Sequence, residues 1–240
     1  DQYEVGGVLF SEFDIPLTCY AITDFLDNKM WPWDDQIRYI LENTKKNNIQ
    51  GHYTDGTDFS LNDIKHNTKK LTRYFQNQIK EHSHENLYKW LSSFYTLTDV
   101  EIPTSVPDIY KPMSWSDAQR FTDSGHLIAP HTLTHRILTQ LPLYEVEKEI
   151  KNSIVRVKEM LSHSSKSFAY PTGRPQDFNN QIIEVLKKEE MLCAVDTRHL
   201  HALSSIDLYR IPRFHLPNTQ FEFIQYLSFF EELKRNIRGN

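Results

Sequence analysis

Residues 125–141 read GHLIAPHTLTHRILTQL, and the class of fold turns on this stretch. Leu127-Ile128-Ala129 is a brief apolar run bounded by Gly125 and Pro130, the pattern of a buried strand. Residues just past a strand end lie on a loop, where scaffolds present their chemistry. His131 and His135 stand there. If the chain turns helical after Pro130, side chains four apart share a face and both imidazoles reach one metal ion. Spacing alone is a weak signal, because eleven histidines in 240 residues make close pairs inevitable, His82 with His84 and His199 with His201 among them.

Downstream of the histidines the pattern alternates. Residues 143–161 predict an amphipathic helix with Val146, Ile150, Ile154, Val157 and Leu161 on one face. Residues 166–170 read as a strand closing on the Pro171-Thr172-Gly173 turn, 178–188 as a helix and 191–195 as a strand. After a loop over 199–207, a further strand is expected over 208–214, and an amphipathic helix over 221–237 closes the chain. Upstream, Ser114-Trp115-Ser116-Asp117 predicts the capped start of a helix ended by Gly125. Residues 15–22 predict a strand, and the residues from Tyr3 a helix ending near Phe13. Asp34 or Asp35 is expected to cap a helix over 37–43.

Residues 47–112 are different. Within them, 65–90 is polar, helix-permissive and free of Gly and Pro, with Leu71, Tyr74, Phe75 and Ile79 at helical spacing, continued by Leu87, Trp90, Leu91 and Phe94. They read as a mostly helical insertion or lid, ending in a loop over 103–112, inside a single domain spanning 1–240. Strands alternating with helices elsewhere predict an α/β fold with a parallel sheet. In such folds ligands bind beyond the carboxyl ends of the strands. Those ends are Thr23-Asp24, 131–135, 170–173, Asp196-Thr197 and 213–215, which converge on one rim.

Composition narrows the classes. With 39% hydrophobic and 12% aromatic residues the chain can bury a sizeable core, which excludes disorder. A net charge of −5, from 27 basic and 32 acidic residues mixed along the chain, gives no footprint for nucleic acid. No apolar run approaches the roughly 18 residues of a membrane span. No signal peptide is visible, as would also hold for a processed precursor, so localisation stays open. Cys19 and Cys193 sit in apolar, strand-like contexts and read as small buried hydrophobes rather than a disulfide. Trp31-Pro32-Trp33 paves a sugar-binding shelf or forms a corner of the core; the sequence allows either.

Two motifs in order, each after a predicted strand, resemble the polysaccharide deacetylase family. His131-Thr132-Leu133-Thr134-His135 is similar to the family's H-[ST]-x-x-H, and Phe168-Ala169-Tyr170-Pro171-Thr172-Gly173 to its F-A-Y-P-x-G variant. Trp115 through the helix into Gly125, the amphipathic helix after the histidines, and Ile211-Pro212-Arg213 add support. The resemblance covers the chain to about Pro217, loosely over 47–112. It implies an α/β fold of the distorted, incomplete (β/α) barrel type, lacking its first strand in this chain. It also implies a metal-dependent hydrolase that removes N-acetyl groups from amino sugars of a polysaccharide or lipid-linked saccharide, in the cell envelope or on the cytoplasmic face of envelope-glycan synthesis. In the family a divalent ion, Zn²⁺ foremost, is held by two His and one Asp. A second Asp takes a proton, a backbone N–H past the turn stabilises the oxyanion, and a His protonates the leaving amine.

Carried onto this sequence, the resemblance makes His131 and His135 the metal ligands. It puts the backbone N–H of Thr172 at the oxyanion position, where many relatives carry Tyr, a change that a backbone donor tolerates. Ala169 stands where many relatives have an Arg that orients the base, and Arg213 is the candidate for supplying that charge. His215 is the candidate general acid, and Trp31, Trp33, Tyr170 and Pro171 are candidate substrate contacts. Two other readings stand beside the enzyme. One is an inactive relative that keeps the cleft as a glycan-binding module, with Trp31, Trp33 and Trp115 as stacking surfaces; the other is a plain α/β domain with incidental histidines.

The family's first motif, a strand ending in two aspartates and a glycine, supplies the metal carboxylate and the base, and nothing in this sequence matches it. Asp34-Asp35 is set aside because it follows Trp33 and precedes a helix rather than ending a strand. In relatives the pair lies a few residues before a segment like Asp1-Gln2-Tyr3, so the native chain is expected to extend upstream with a β-strand and Asp-Asp-Gly. Sequencing the complete reading frame checks this: an Asp pair shortly before Asp1 is the expected result, and its absence would argue against hydrolysis.

Overall fold

The amphipathic pattern after the histidines becomes an 18-residue helix, and two of the three apolar clusters are built on its buried face. The computed structural model describes residues 2–202 and 206–228. A π-helical turn (Gln2–Gly7) runs into α1 (Val8–Ser11), followed by β1 (Thr18–Ala21), α2 (Thr23–Leu26) and α3 (Trp33–Asn43). The insertion contributes β2 (Ile49–His52), β3 (Asp58–Leu61), α4 (Ile64–Ile79) and α5 (Leu87–Thr98). Then come α6 (Trp115–Asp123), β4 (Leu127–Pro130), α7 (Leu143–Met160), β5 (Ser167–Ala169), α8 (Asn180–Lys188), β6 (Cys193–Val195) and α9 (Gln220–Leu227). Residues 229–237 of the predicted closing helix lie outside the described residues.

The architecture is mixed α/β. β1 pairs in parallel with β4, Thr18 opposite Leu127 and Ala21 opposite Pro130, and β5 pairs in parallel with β6. Among the described residues the strands form three two-stranded ladders. The strand expected over 208–214 is reduced to a single parallel bridge between Val195 and Ile211. Its first residues turn instead, with Arg210 N–H donating to Asp207 O at 2.8 Å, and Pro212 has no N–H to extend the ladder. β2 and β3 form an antiparallel hairpin within the insertion that was expected to be mostly helical. Its cue was present in Asp55-Gly56, a turn dipeptide, and Gly56 takes the left-handed φ of 87° that the turn requires.

Helix ends follow local chemistry. Ser114 and Asp117 form a reciprocal capping box at the start of α6, and Gly125 leaves that helix at φ 87°. Neither Asp34 nor Asp35 caps α3, because the N-cap is Pro32. The helix begins earlier than expected, at Trp33, whose indole is drawn fully into the core. Both carboxylates fall in its first turn, where the helix dipole still favours negative charge.

The buried face of α7 divides its packing. Val146, Ile150 and Ile154 meet Phe168, Tyr170, Ile182 and Leu186 of the β5–α8–β6 unit. Val157 and Leu161, one turn further, meet Ala21, Ala118, Phe121 and Ile128 around β1 and β4. Burial of each such side chain is worth about 1.5–3 kcal/mol, so α7 fixes both parallel pairs relative to one backbone. The third cluster joins the insertion to α3, with Phe59, Phe75, Leu91 and Phe94 packed around Trp31, Trp33 and Ile37. Trp31 is 7% exposed and Trp33 not at all, so Trp31-Pro32-Trp33 is a corner of the core and no shelf for a sugar. Cys19 and Cys193 are free and half-buried, and burial pushes the Cys19 thiol up to about 11. No helix among the described residues is long and apolar enough to cross a membrane.

His84 joins the insertion to the histidine loop. Its Nδ1 accepts from Ile137 N–H at 3.1 Å and its Nε2 donates to Ile79 O at 3.2 Å, which requires the neutral ring. Burial lowers its pKa from 6.5 to about 4. A folded-state pKa below the unfolded value gives stability that is fully present above pH 6.5 and is lost as pH falls to about 4. His84→Asn, which can still accept from Ile137, should unfold at lower temperature at pH 7. Its midpoint should then drop less than that of the wild type over this window, as thermal melts across pH will show.

Candidate active site

The β1–β4 pairing runs on past both strand ends. His131 N–H donates to Ala21 O at 2.9 Å, Thr23 N–H to Thr132 O at 3.2 Å and Asp24 N–H to Leu133 O at 3.0 Å. The chain does not turn helical there. Thr132 and His135 have left-handed φ values of 67° and 60°, and the histidines share a loop rather than a helix face. The amide hydrogens that would begin a helix go to a carboxylate. Glu149, 1% exposed on α7, accepts from Leu133 N–H at 2.9 Å, from Thr134 N–H at 3.0 Å and from the Thr134 hydroxyl. Arg136 closes this clamp, donating to Glu149 at 2.8 Å and to Glu145 at 2.7 Å.

A β-branched residue at positive φ costs on the order of 1–3 kcal/mol. Thr132 is held there by full burial and by its hydroxyl, which accepts His135 N–H at 3.0 Å. Two side chains grip the loop from the other side: Tyr88 donates to Thr134 O at 2.6 Å and the Trp33 indole to His135 O at 3.0 Å. The outcome brings the imidazoles together, with ring centroids 5.0 Å apart.

The second motif meets the first directly. His131 Nδ1 lies 2.6 Å from Ala169 O at the end of β5, so the Nδ1–H donates and Nε2 is left with its lone pair. Beyond Ala169 the turn carries Thr172 at φ 55° and Gly173 at φ 67°. A Cβ on Gly173 would stand 3.1 Å from Thr197 Cγ2 and 3.3 Å from Tyr170 O, so a side chain there would be crowded as well as strained by φ. Buried Asp177 secures the turn, accepting from the Thr172 hydroxyl, from Arg174 N–H at 2.8 Å and from the Arg174 guanidinium at 2.7 Å. Thr197 ties it to β6, its N–H on Gly173 O at 2.9 Å and its hydroxyl on Thr172 O at 3.1 Å. The Thr172 N–H has no acceptor among the described residues.

Tyr170 and Pro171, expected at the substrate, are buried beneath the turn. Tyr170 stacks on Phe178 with centroids 4.0 Å apart and donates to Tyr209 O at 2.9 Å. Tyr170 supports the turn from below. Arg213 does reach the site: with His131 it lines a cleft of about 410 Å³ whose walls include Leu17, Cys19, Tyr20 and Phe121. Its guanidinium stands 5.7 Å from the Tyr20 ring centroid. His215 lies outside that lining, exposed, with Nδ1 at 2.8 Å from His199 Nε2 and Nε2 at 3.2 Å from the Tyr226 hydroxyl.

Burial, reinforced by the neighbouring His135, pushes the pKa of His131 down to about 3, so this imidazole is neutral at physiological pH. His135 Nδ1 stands 3.5 Å from Asp34 Oδ1 on α3. Burial works to raise the Asp34 pKa, and His135 together with the backbone amides of Asp34 and Asp35 more than offsets it, holding the carboxyl below the usual range. Burial and the Asp34 charge push Asp35 up to about 6. Two adjacent imidazoles, one of them neutral with a bare Nε2, suit a divalent metal. Among the described residues no group of three His, Cys, Asp or Glu is placed to hold one.

Glu149 and Asp177 escaped the reading of the sequence, and Asp34 was set aside there. Glu149 left a signal, since it interrupts the apolar stripe of α7 three residues after Val146, where a charge is out of place unless paired. The place of Asp34 beside His135 left none, because 101 positions separate the two.

A sequence profile of the family described as polysaccharide deacetylase matches residues 8–194. No curated protein gives a match. Among solved structures, the chain is similar to the Streptococcus pyogenes deacetylase PplD in complex with acetate, at 22% identity over 48% of this chain and 51% of that one, with a TM-score of 0.44. It is similar to a polysaccharide deacetylase from Bacillus cereus, at 20% identity over 57% and 47%, with a TM-score of 0.42. A de-N-acetylase from Aggregatibacter actinomycetemcomitans matches at 12% identity over 93% of this chain and 69% of that one, TM-score 0.51, a likeness of fold. The aligned part spans about half the length of the first two.

Removing the Glu149 carboxylate leaves Arg136 half-partnered and two loop amides unsatisfied. Glu149→Ala should therefore cost about 3–5 kcal/mol of stability in denaturant unfolding. Glu149→Gln, which keeps one acceptor oxygen, should cost less.

Proposed function

The chain belongs to the polysaccharide deacetylase family, and from this we propose that it removes N-acetyl groups from amino sugars of a polysaccharide or lipid-linked saccharide. The observation that carries the reading is the His131–Ala169 hydrogen bond, through which two motifs far apart in sequence come into direct contact. We place a divalent ion, Zn²⁺ first among the borderline ions that suit imidazole, on His131 and His135. Such an ion, when bound, supplies Lewis acidity toward an acetyl carbonyl and a water.

The chain's own residues divide the remaining work. The Thr172 N–H, which has no acceptor among the described residues, is the donor for charge developing on the acetyl oxygen. Its alignment depends on two anchors, Asp177, which accepts from the Thr172 hydroxyl, and Thr197, which donates to Thr172 O. Arg213 adds a fixed positive charge to the wall that His131 shares. His215 is the proposed proton donor to the leaving amine, and its hydrogen bond to Tyr226, at 3.2 Å, is the one that a substrate amine would replace. The parallel β1–β4 and β5–β6 pairs and the Val195–Ile211 bridge support a distorted (β/α) barrel as the architecture, with 47–112 as an insertion in one domain. The glycan-binding alternative is disfavoured, because two of its three proposed stacking indoles, Trp31 and Trp33, are in the core.

Acetate release from an N-acetylglucosamine oligomer or an N-acetylhexosamine lipid by the full-length protein tests the reading. Release should stop with EDTA, return with Zn²⁺, and fall by several orders of magnitude in His131→Ala. Binding of the oligomer without release would favour the module, and absence of metal from the purified protein at neutral pH would count against the enzyme.

A further inference from the structure

We propose that Asp34 is the positioning carboxylate of His135, fixing the proton on Nδ1 so that Nε2 faces a metal; this rests on the metal-site reading above. Asp34 Oδ1 and His135 Nδ1 are each sealed from solvent, each lacks a hydrogen-bond partner, and they face one another at 3.5 Å. Buried donors and acceptors are satisfied in the great majority of cases. A carboxylate oxygen opposite an imidazole nitrogen is satisfied in one way, by Nδ1–H donating to it after a closure of a few tenths of an ångström.

The backbone on both sides is already held for that contact. The Trp33 indole donates to His135 O at 3.0 Å, and Gln76 of α4 donates to Asp34 O at 2.7 Å. Trp33-Asp34 therefore grips His135 at two points, indole on carbonyl and carboxylate on ring. His131 shows the same logic with a different acceptor, its Nδ1 on the Ala169 carbonyl. Both rings then carry hydrogen on Nδ1 and present Nε2.

The geometry also separates this role from direct ligation. Nδ1 and Nε2 point away from each other across the ring, so a carboxylate set against Nδ1 is on the wrong side to share an ion held by Nε2. Partners of this kind orient a ligating ring and raise its basicity, and their loss costs about 10–100-fold in metal affinity.

The test uses the full chain, with Asp34→Asn and Asp34→Ala beside His135→Ala, in two arms. In the first, nitrogen-resolved NMR of the imidazoles in metal-free protein reads the tautomer. His135 is expected as Nδ1–H in the wild type and to lose that preference in Asp34→Ala, and an unchanged tautomer overturns the proposal. In the second, Zn²⁺ titration should show affinity weaker by about 10–100-fold in both Asp34 variants with stoichiometry retained. Wild-type affinity in Asp34→Asn, or loss as complete as in His135→Ala, overturns the positioning role. If the wild type itself binds no Zn²⁺, the metal-site reading fails, and the tautomer arm still decides whether Asp34 orients the ring.

Discussion

A carboxylate buried between a helix and a loop must be satisfied at both oxygens or it destabilises the interface that hides it. Glu149 meets that condition by consuming the polar groups of the histidine loop: two backbone amides, a threonine hydroxyl and the Arg136 guanidinium. The helix that carries Glu149 also buries the faces that hold β1 to β4 and β5 to β6. One helix thus sets where the strands end and what the chain does just past one of those ends. The loop cannot become helical while its amides are spoken for.

The turn after β5 repeats the device. There the buried carboxylate is Asp177, the arginine is Arg174 and the threonine is Thr172. In each loop a β-branched residue occupies a left-handed conformation that it would not adopt unaided, and a threonine hydroxyl bonds the carboxylate. Strain of this kind persists only where neighbours over-determine it. Here they do so at the two loops that meet through His131 and Ala169, and the result is a set of polar groups aimed before any ligand arrives.

The insertion is part of this arrangement rather than an appendage. Its core is shared with α3, and from that core Trp33, Tyr88 and His84 reach the histidine loop with an indole N–H, a phenol and a ring nitrogen. Trp33, one of the two tryptophans that the sequence left available to a sugar, is an anchor of this contact. Aromatic side chains with one polar atom serve well in that position, since the ring fills the core and the N–H or O–H holds a carbonyl.

Periodicity and local chemistry were enough to read the α7 stripe, the Ser114 capping box, the short strand before His131 and the order of the two motifs, because each depends on residues within a few positions of one another. The shape of the histidine loop was not readable in the same way. A spacing of four permitted a helix, and what excluded it was a carboxylate 14 positions beyond His135 on another element. Which aromatic residues are buried, whether 208–214 completes a strand, and which acidic side chain faces His135 are likewise matters of contact between distant segments. Such contacts are set by how whole faces pack, and a one-dimensional pattern records the faces but not their meeting.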